Sequence, residues 1–266
     1  NKESLICGWN LIKKKLKKHK TNFIPIDSEH FSIAELIKNK NLNLIENIFI
    51  TASGGPFLNF SKKKLLKVSV KDALNHPNWK MGKKISVDSA TMMNKVFEVI
   101  EAKNIFDVNY SKISILIHSK SYVHALIKFN NGQIKLLAHE PDMRIPIHNS
   151  LYPKDIKKIN TKDLNLEILN DLNLQKITTK MFPTIKILNS LPKINSLYET
   201  ALVTINDYFV AKFLENKINF NQLVNLICKY SNQAYLTKLK TIAVKNINDI
   251  HKTRKYINEI LNNSGI

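Results

Sequence analysis

The sequence is poor in glycine, arginine and cysteine, and each scarcity narrows what the chain can be. Six glycines in 266 residues leave no G-x-G-x-x-G spacing, so the chain carries no complete dinucleotide-binding fingerprint. Two cysteines far apart, Cys7 and Cys228, make neither a disulfide framework nor a thiolate zinc site, and a reducing compartment is the default expectation. No run approaches the roughly 20 apolar residues that a membrane-spanning helix needs, and no signal peptide is visible at the start. The chain begins at Asn1 without a methionine, so it is expected to be part of a longer protein. No internal repeat or low-complexity tract is present.

What the chain has is lysine and a sizeable apolar fraction. With 44% hydrophobic residues it can bury the core of one large or two smaller domains. The formal charge is +20, which raises nucleic acid or a membrane surface as partners. Arginine occurs only at Arg144 and Arg254. The lysines are scattered among abundant Asn and Ile, the mixture an AT-rich genome favours, and a solvated surface is the stronger reading over a polyanion patch. The run "LIKKKLKKHK" (11–20) reads as the wet face and C-terminal end of a helix, where lysine complements the dipole.

Periodicity predicts a helix over 3–18, a short strand at "NFIPI" (22–26), and a strand at "LIENIFITA" (44–52). Loop and short helices follow, then a surface loop over 77–87 and an amphipathic helix over 89–103. Further strands are expected at 112–118 and 125–139, the latter folded on the hairpin signal Asn130-Asn131-Gly132. From about 150 to 180 the pattern is weak and reads as a connection. After Pro192 helical periods return to about residue 262, as in a small bundle.

Several short stretches carry chemistry. In "SVDSATMMNKVFEVIE" (86–101), Met92, Val96, Val99 and Ile100 recur at core-facing spacing. Ser89, Asn94, Lys95 and Glu98 lie on another side, either wet or forming one wall of a site for an anion and a metal. "DSEH" (27–30) sets Asp27 and Glu29 on one side of an extended segment, able to hold a hard divalent cation; a helix N-cap with an acidic first turn is the plainer alternative. Ser53-Gly54-Gly55 after a strand is either a phosphate nest or a simple turn. In "HPNWKMGKK" (76–84), Trp79 can serve as a lid residue or a core anchor. Of His118 and His124, one is expected to be structural.

Taken in order, "NKES" (1–4), "DSEH", "SGGPF" (53–57), "HPNWKMGKKISVDSATMMNK" (76–95), Glu98 and "EPDMRIPI" (140–147) resemble the 1-deoxy-D-xylulose 5-phosphate reductoisomerase family. The likeness is nearly continuous over 76–95, compatible in spacing across 1–150, and weaker through the helical end. It implies a metal-assisted skeletal rearrangement followed by NADPH reduction to 2-C-methyl-D-erythritol 4-phosphate, in the non-mevalonate isoprenoid route. The implied fold is an α/β (α+β) catalytic domain with a mostly β-sheet core, then a linker and a C-terminal helical bundle. The implied boundaries are 1–27 for the last helix and strand of a Rossmann domain, 28–152 for the catalytic domain, 153–180 for the linker and 181–266 for the bundle.

The resemblance also assigns residues. Asp27, Glu29 and Glu98 would ligate Mg²⁺ or Mn²⁺, with Co²⁺ a further option. Ser53, Ser89, Asn94 and Lys95 would hold the substrate phosphate, with His76, Lys2 and Ser28 also at the sugar. Lys2, Glu29, His76 and Glu98 form the implied catalytic set. Asn1, Glu3, Gly82 and Met143 would touch the cofactor, and Trp79 and Met81 would belong to a lid. A cytoplasmic homodimer is implied, a plastid location staying open, with no nucleic-acid or membrane partner. Without the Gly-rich fingerprint, this polypeptide alone is expected to bind NADPH poorly and not to turn over; a metal- and phosphosugar-binding module without redox activity is the alternative. Departures from the family pattern fall at His139, where Gly is usual, at Ser119-Lys120, and at "TINDY" (204–208). They put loop geometry and the bundle's contact with the site in question.

Overall fold

The computed structural model describes residues 1–38, 40–153 and 158–265. Of the connection expected over 153–180, residues 154–157 lie outside that description. In chain order the elements are α1 (Lys2–His19), α2 (Ser28–Ile37), β1 (Ile45–Ala52), α3 (Lys62–Leu65), α4 (Val70–Leu74), α5 (Lys83–Thr91) and α6 (Met93–Phe106). Then come β2 (Ile113–Ile117), β3 (Val123–Phe129), β4 (Ile134–Ala138), α7 (Arg144–Leu151), α8 (Leu166–Asn170) and β5 (Gln175–Lys176). The chain closes with α9 (Leu197–Leu214), α10 (Phe220–Ser231), α11 (Tyr235–Leu239) and α12 (Ile247–Asn262). Among the described residues no helix is long and apolar enough to cross a membrane.

The strands form one mixed sheet in the order β4-β3-β1-β2-β5. β1 and β2 run parallel, with Ile48 opposite Ile113 and Ile50 opposite Ile115, and the helices from α3 to α6 make the crossover that a parallel pair requires. β3 lies antiparallel between β1 and β4. It is buried along nearly its whole length, and its near-continuous apolar reading fits that central place. The expected turn joins β3 to β4, with Gly132 at φ 82°.

Two apolar cores meet on α6. One collects Ile33 of α2, the sheet, and Val99, Ala102 and Phe106. The other joins Ile6 and Cys7 of α1 to Met93, Val96, Phe97 and Ile100 and to α9, α10 and α12. α6 is buried on nearly every side, and each large apolar side chain it removes from water stabilises the fold by about 1.5–3 kcal/mol. This overturns the wet reading of its polar residues: Lys95, Glu98 and Glu101 are buried with the rest. α1 is fastened to the same body through Asn195, whose Oδ1 accepts from the Asn10 amide N–H at 3.3 Å and whose Nδ2 donates to the Ile6 carbonyl at 2.9 Å.

Three local expectations are corrected. Residues 22–26 form no strand: the segment finds no partner ladder, Pro25 removes a donor, and Ile24 and Ile26 are exposed. Asp27 and Glu29 do not share one side of an extended segment; Asp27 is the N-cap of α2 and Glu29 lies in its first turn. The single helix expected over 89–103 is two helices, since Met92 takes the left-handed conformation at φ 67°, uncommon for a side chain of that size. The second helix of this stretch therefore starts afresh at Met93, and the preceding one begins at Lys83, inside the surface loop expected over 77–87.

Candidate active site

A cavity of about 280 Å³ opens where the N-terminal ends of α2 and α6 meet the carboxyl end of β1. α2 supplies Asp27, Ser28 and Glu29, and the turn after β1 supplies Ser53 and Gly54. α5 and α6 bring Ser89, Asn94, Lys95 and Glu98 from either side of the Met92 break. The loop after α4 contributes His76, Trp79, Lys80 and Met81, and Met143 closes the rim. A straight helix could not present both Ser89 and Lys95 to one pocket, because six residues on an α-helix lie far from one face. The left-handed Met92 redirects the chain so that both do.

The carboxylates of Asp27, Glu29 and Glu98 bring ligand oxygens within 4.8 Å of one another. An all-oxygen acidic set of this kind suits a hard divalent cation such as Mg²⁺ or Mn²⁺. Two lysines share the negative charge. Lys2 Nζ lies 2.9 Å from Asp27 Oδ2, 3.3 Å from Glu98 Oε1 and 3.4 Å from Glu101 Oε2. Lys95 Nζ lies 2.5 Å from Glu29 Oε1 and pairs with Glu98 as well. The Asn94 amide donates to Glu98, and Ser28 Oγ donates to Glu29 Oε2 at 2.5 Å. Residues expected at the phosphate and residues expected at the metal thus form one connected cluster.

The charges answer to this crowding. Burial, then the neighbouring Glu98 carboxylate, pushes Glu29 up to about 8 although Lys95 opposes it. Asp27 goes the other way: burial would raise it, yet Lys2 holds it far below the usual carboxylate range. Burial lifts Glu101 to about 7. Burial would lower Lys2 and Lys95, but their carboxylate partners keep both above the usual lysine range. A carboxyl that burial and a neighbouring anion keep protonated is a group that a cation would relieve, and on that ground the residues fit a divalent ion.

Beside the acidic cluster stands a hydroxyl mount. His76 Nδ1 accepts the backbone N–H of Asn78 at 3.1 Å and of Trp79 at 3.0 Å. Its lone pair is thereby committed, so the ring proton sits on Nε2, which donates to Ser53 Oγ at 3.0 Å. Ser53 Oγ also accepts from the Gly55 N–H at 3.0 Å. Both acceptor sites are filled, and the Ser53 hydrogen is left to donate into the cavity. Burial, with Lys95 adding to it, holds His76 down at about 4 and therefore neutral. The Ser-Gly-Gly turn thus mounts a hydroxyl and spends the Gly55 N–H internally. Gly55 has φ 67°, and a Cβ there would stand 2.9 Å from the Ser89 carbonyl oxygen. Only glycine lets β1's turn approach α5 so closely.

The remaining expected residues sit elsewhere. Asn1 caps α1 by accepting the Ser4 N–H at 3.1 Å, Glu3 pairs with Lys84, and Gly82 is the N-cap of α5. Asn1 and Glu3 line a separate, larger cavity along α1 and α12. Two residues that the motifs did not single out for the site, Ser121 and His124, line the small cavity. Burial, with His139 next, pulls His124 down to about 3. Its Nε2 lies 3.1 Å from the His139 carbonyl oxygen, and the two rings stack at 3.8 Å. His118 is buried away from the pocket with Nδ1 against the Leu172 carbonyl. The departures find their places: His139 packs between His124 and Phe31, the Ser119 carbonyl accepts from Asn78 Nδ2 at 2.6 Å, and Asn206 reaches Asp88 at 2.7 Å.

Known proteins resemble this chain along most of its length. Residues 23–106 match the "1-deoxy-D-xylulose 5-phosphate reductoisomerase C-terminal domain" and residues 139–260 the "DXP reductoisomerase C-terminal domain". A reductoisomerase from Bacillus subtilis (strain 168) is 37% identical over 98% of this chain and 68% of its own length. The chain belongs to the 1-deoxy-D-xylulose 5-phosphate reductoisomerase family. A second family member, from Pelagibacter ubique (strain HTCC1062), is 56% identical over 97% of this chain. This chain covers 66% of that relative. Among solved structures, a reductoisomerase in complex with NADPH, fosmidomycin and magnesium superposes with a TM-score of 0.88 at 34% identity. That likeness covers 98% of this chain and 67% of the solved one.

Proposed function

We propose that the chain supplies the metal- and phosphosugar-binding part of a 1-deoxy-D-xylulose 5-phosphate reductoisomerase, which rearranges its substrate and reduces the product with NADPH. The observation that carries the reading is the convergence of Asp27, Glu29 and Glu98 beside the Ser53–His76 hydroxyl mount in one cavity. The three carboxylates would hold Mg²⁺ or Mn²⁺. When bound, the ion supplies Lewis-acid polarisation of the substrate's carbonyl and hydroxyl oxygens, and NADPH supplies hydride.

The chain's own residues bind and orient. The free Ser53 hydrogen, Ser89 and the start of α6 offer hydrogen-bond donors to a phosphate, and a helix N-terminus favours an anion. Lys95, paired with Glu29 and Glu98, would supply an ammonium to the phosphate. Lys2, held by Asp27 and Glu98, is placed to hydrogen-bond a sugar oxygen. Trp79 and Met81 form a lid that excludes water, and phosphate binding energy helps orient the reacting end. Asn1, Glu3, Gly82 and Met143 are proposed cofactor contacts. Residues 1–27 are proposed to belong to the cofactor domain, 28–152 to the catalytic domain, 153–180 to the linker and 181–266 to the bundle.

The protein is further proposed to act as a cytoplasmic homodimer. The edge strand β4 exposes Ile134 and Leu136, an apolar margin suited to a second copy, and Cys7 and Cys228 are both free thiols. The deciding experiment is calorimetry with 1-deoxy-D-xylulose 5-phosphate, with and without Mn²⁺. Binding that strengthens with the metal supports the reading; a metal-indifferent result overturns it. NADPH oxidation measured alongside separates a working enzyme from a binding module.

A further inference from the structure

Away from the cavity, one charged cluster ties three helices together at the end of the lid. Lys84 lies in the first turn of α5, two residues beyond Gly82. Its ammonium donates to Glu3 Oε1 of α1 at 3.0 Å and to Asp88 Oδ2 at 2.8 Å, and stands 3.3 Å from Asp207 Oδ1 of α9. Buried Asn206, beside Asp207, donates to the other oxygen of Asp88 at 2.7 Å. Asp88 is itself buried and immediately precedes Ser89 of the cavity wall. The start of α5 is closed by Ser86 Oγ, which donates to the Gly82 carbonyl at 3.0 Å.

The opposite end of the lid is fastened too. Asn78 Nδ2 donates to the Ser119 carbonyl at 2.6 Å and to Ser121 Oγ at 2.8 Å. The N–H groups of Asn78 and Trp79 are held by His76. The span from Lys80 to Gly82 hangs between two anchors, and the anchor at its far end is made partly by α9. A closing loop needs fixed posts, because the few residues that absorb its backbone change pivot against something rigid. Neither Lys84 nor Asn206 lines the small cavity, so any effect they have on a ligand there acts through α5.

We propose that Lys84 and Asn206 are positioning residues that make α9 the fixed post of the lid, setting where α5 begins and where Ser89 stands. This rests on the proposed reading of Trp79 and Met81 as a lid over a phosphosugar site. Without the ammonium, the carboxylates of Glu3, Asp88 and Asp207 are left facing one another, and a buried unpaired charge forces its helix to shift.

The test uses the protein with Trp9→Phe, so that Trp79 is its only tryptophan. Trp79 fluorescence is followed on adding 1-deoxy-D-xylulose 5-phosphate with Mg²⁺, and Mg²⁺ alone is titrated by calorimetry. Lys84→Met and Asn206→Leu are expected to weaken phosphosugar binding about tenfold, the scale of a broken coupling between packed elements. They should blunt the Trp79 response and leave the Mg²⁺ affinity within about twofold, while Lys84→Arg restores both lost properties. Should Lys84→Met not fold, Asp207→Asn, which changes a part-exposed partner, carries the same expectation. Variants with an unaltered Trp79 response and affinity overturn the hinge alone. So does a parallel loss of Mg²⁺ and phosphosugar binding, the mark of general loosening. A wild-type protein that binds no phosphosugar overturns the functional reading and the hinge with it.

Discussion

Lys95 Nζ stands 2.5 Å from Glu29 Oε1, a contact between a residue expected at the phosphate and one expected at the metal. The two are 66 positions apart in sequence and sit on different helices, α6 and α2. Lys95 is buried and Glu29 half-buried, so the ammonium depends on the acidic groups around it. The pair makes the two halves of the site answer to each other: a cation displacing Lys95 from Glu29 would free an ammonium for the phosphate.

Removing the ammonium should therefore act twice. Lys95→Ala is expected to weaken phosphosugar binding at least about tenfold, as for a lost charge-assisted bond. It should also destabilise the fold by about 3 kcal/mol, because buried Glu98 loses its cationic partner. Calorimetry and urea unfolding check the two effects separately.

Glu98→Gln keeps the shape of the side chain and removes one of three anionic ligands. Mg²⁺ or Mn²⁺ affinity is expected to fall by at least about tenfold, and a phosphonate-hydroxamate inhibitor should then bind equally with and without metal. Unchanged metal dependence would count against the ligand role of Glu98.

Cation binding should be proton-linked with a definite sign. Glu29 in the apo protein is raised to about 8, so near pH 7 it carries a proton that the cation must expel. Metal affinity is expected to rise with pH up to about 8 and then level, with roughly one proton released per ion below that point. The same shift predicts that apo stability falls as pH climbs from the ordinary carboxylate range toward 8, since the folded state holds the proton and the unfolded state does not. Calorimetry in buffers of different ionisation enthalpy, and unfolding over the same pH range, measure both.

The hydroxyl mount makes a smaller, separable prediction. His76, held at about 4, is neutral at neutral pH, and protonation in acid would put a hydrogen on Nδ1 against two N–H donors. Stability from this site is thus full above the ordinary histidine range and lost as pH falls toward 4. Ser53→Ala should weaken phosphosugar binding about tenfold and leave Mg²⁺ binding alone unaffected.

Gly55→Ala tests the close approach of β1's turn to α5. At φ 67°, with its Cβ 2.9 Å from the Ser89 carbonyl, alanine is expected to cost about 1–3 kcal/mol. A lower urea midpoint at constant slope is the expected result.

The sequence by itself determined much here. The apolar runs of β1, β2 and β3, the Asn-Asn-Gly turn and the helical periods after Pro192 are local signals, read within one element. The ordered motifs also marked Asp27, Glu29, Ser53, His76, Ser89, Lys95 and Glu98, which the fold brings to one cavity. Three things were decided only by tertiary structure. Residues 22–26 have strand-like composition, but a strand exists only with a partner, and none pairs with them. The Met92 break left no glycine to mark it; Met92 packs into the sheet-side core while Ala90 before it and Met93 after it pack into the helical one, and that burial outweighs the cost of a left-handed methionine. Periodicity left the polar residues on α6 as either wet or a site wall, because it sees one helix at a time. Whether Lys95 and Glu98 meet water or meet Glu29 and Lys2 depends on helices 66 to 96 positions away, a distance over which charge pairing is set by the fold.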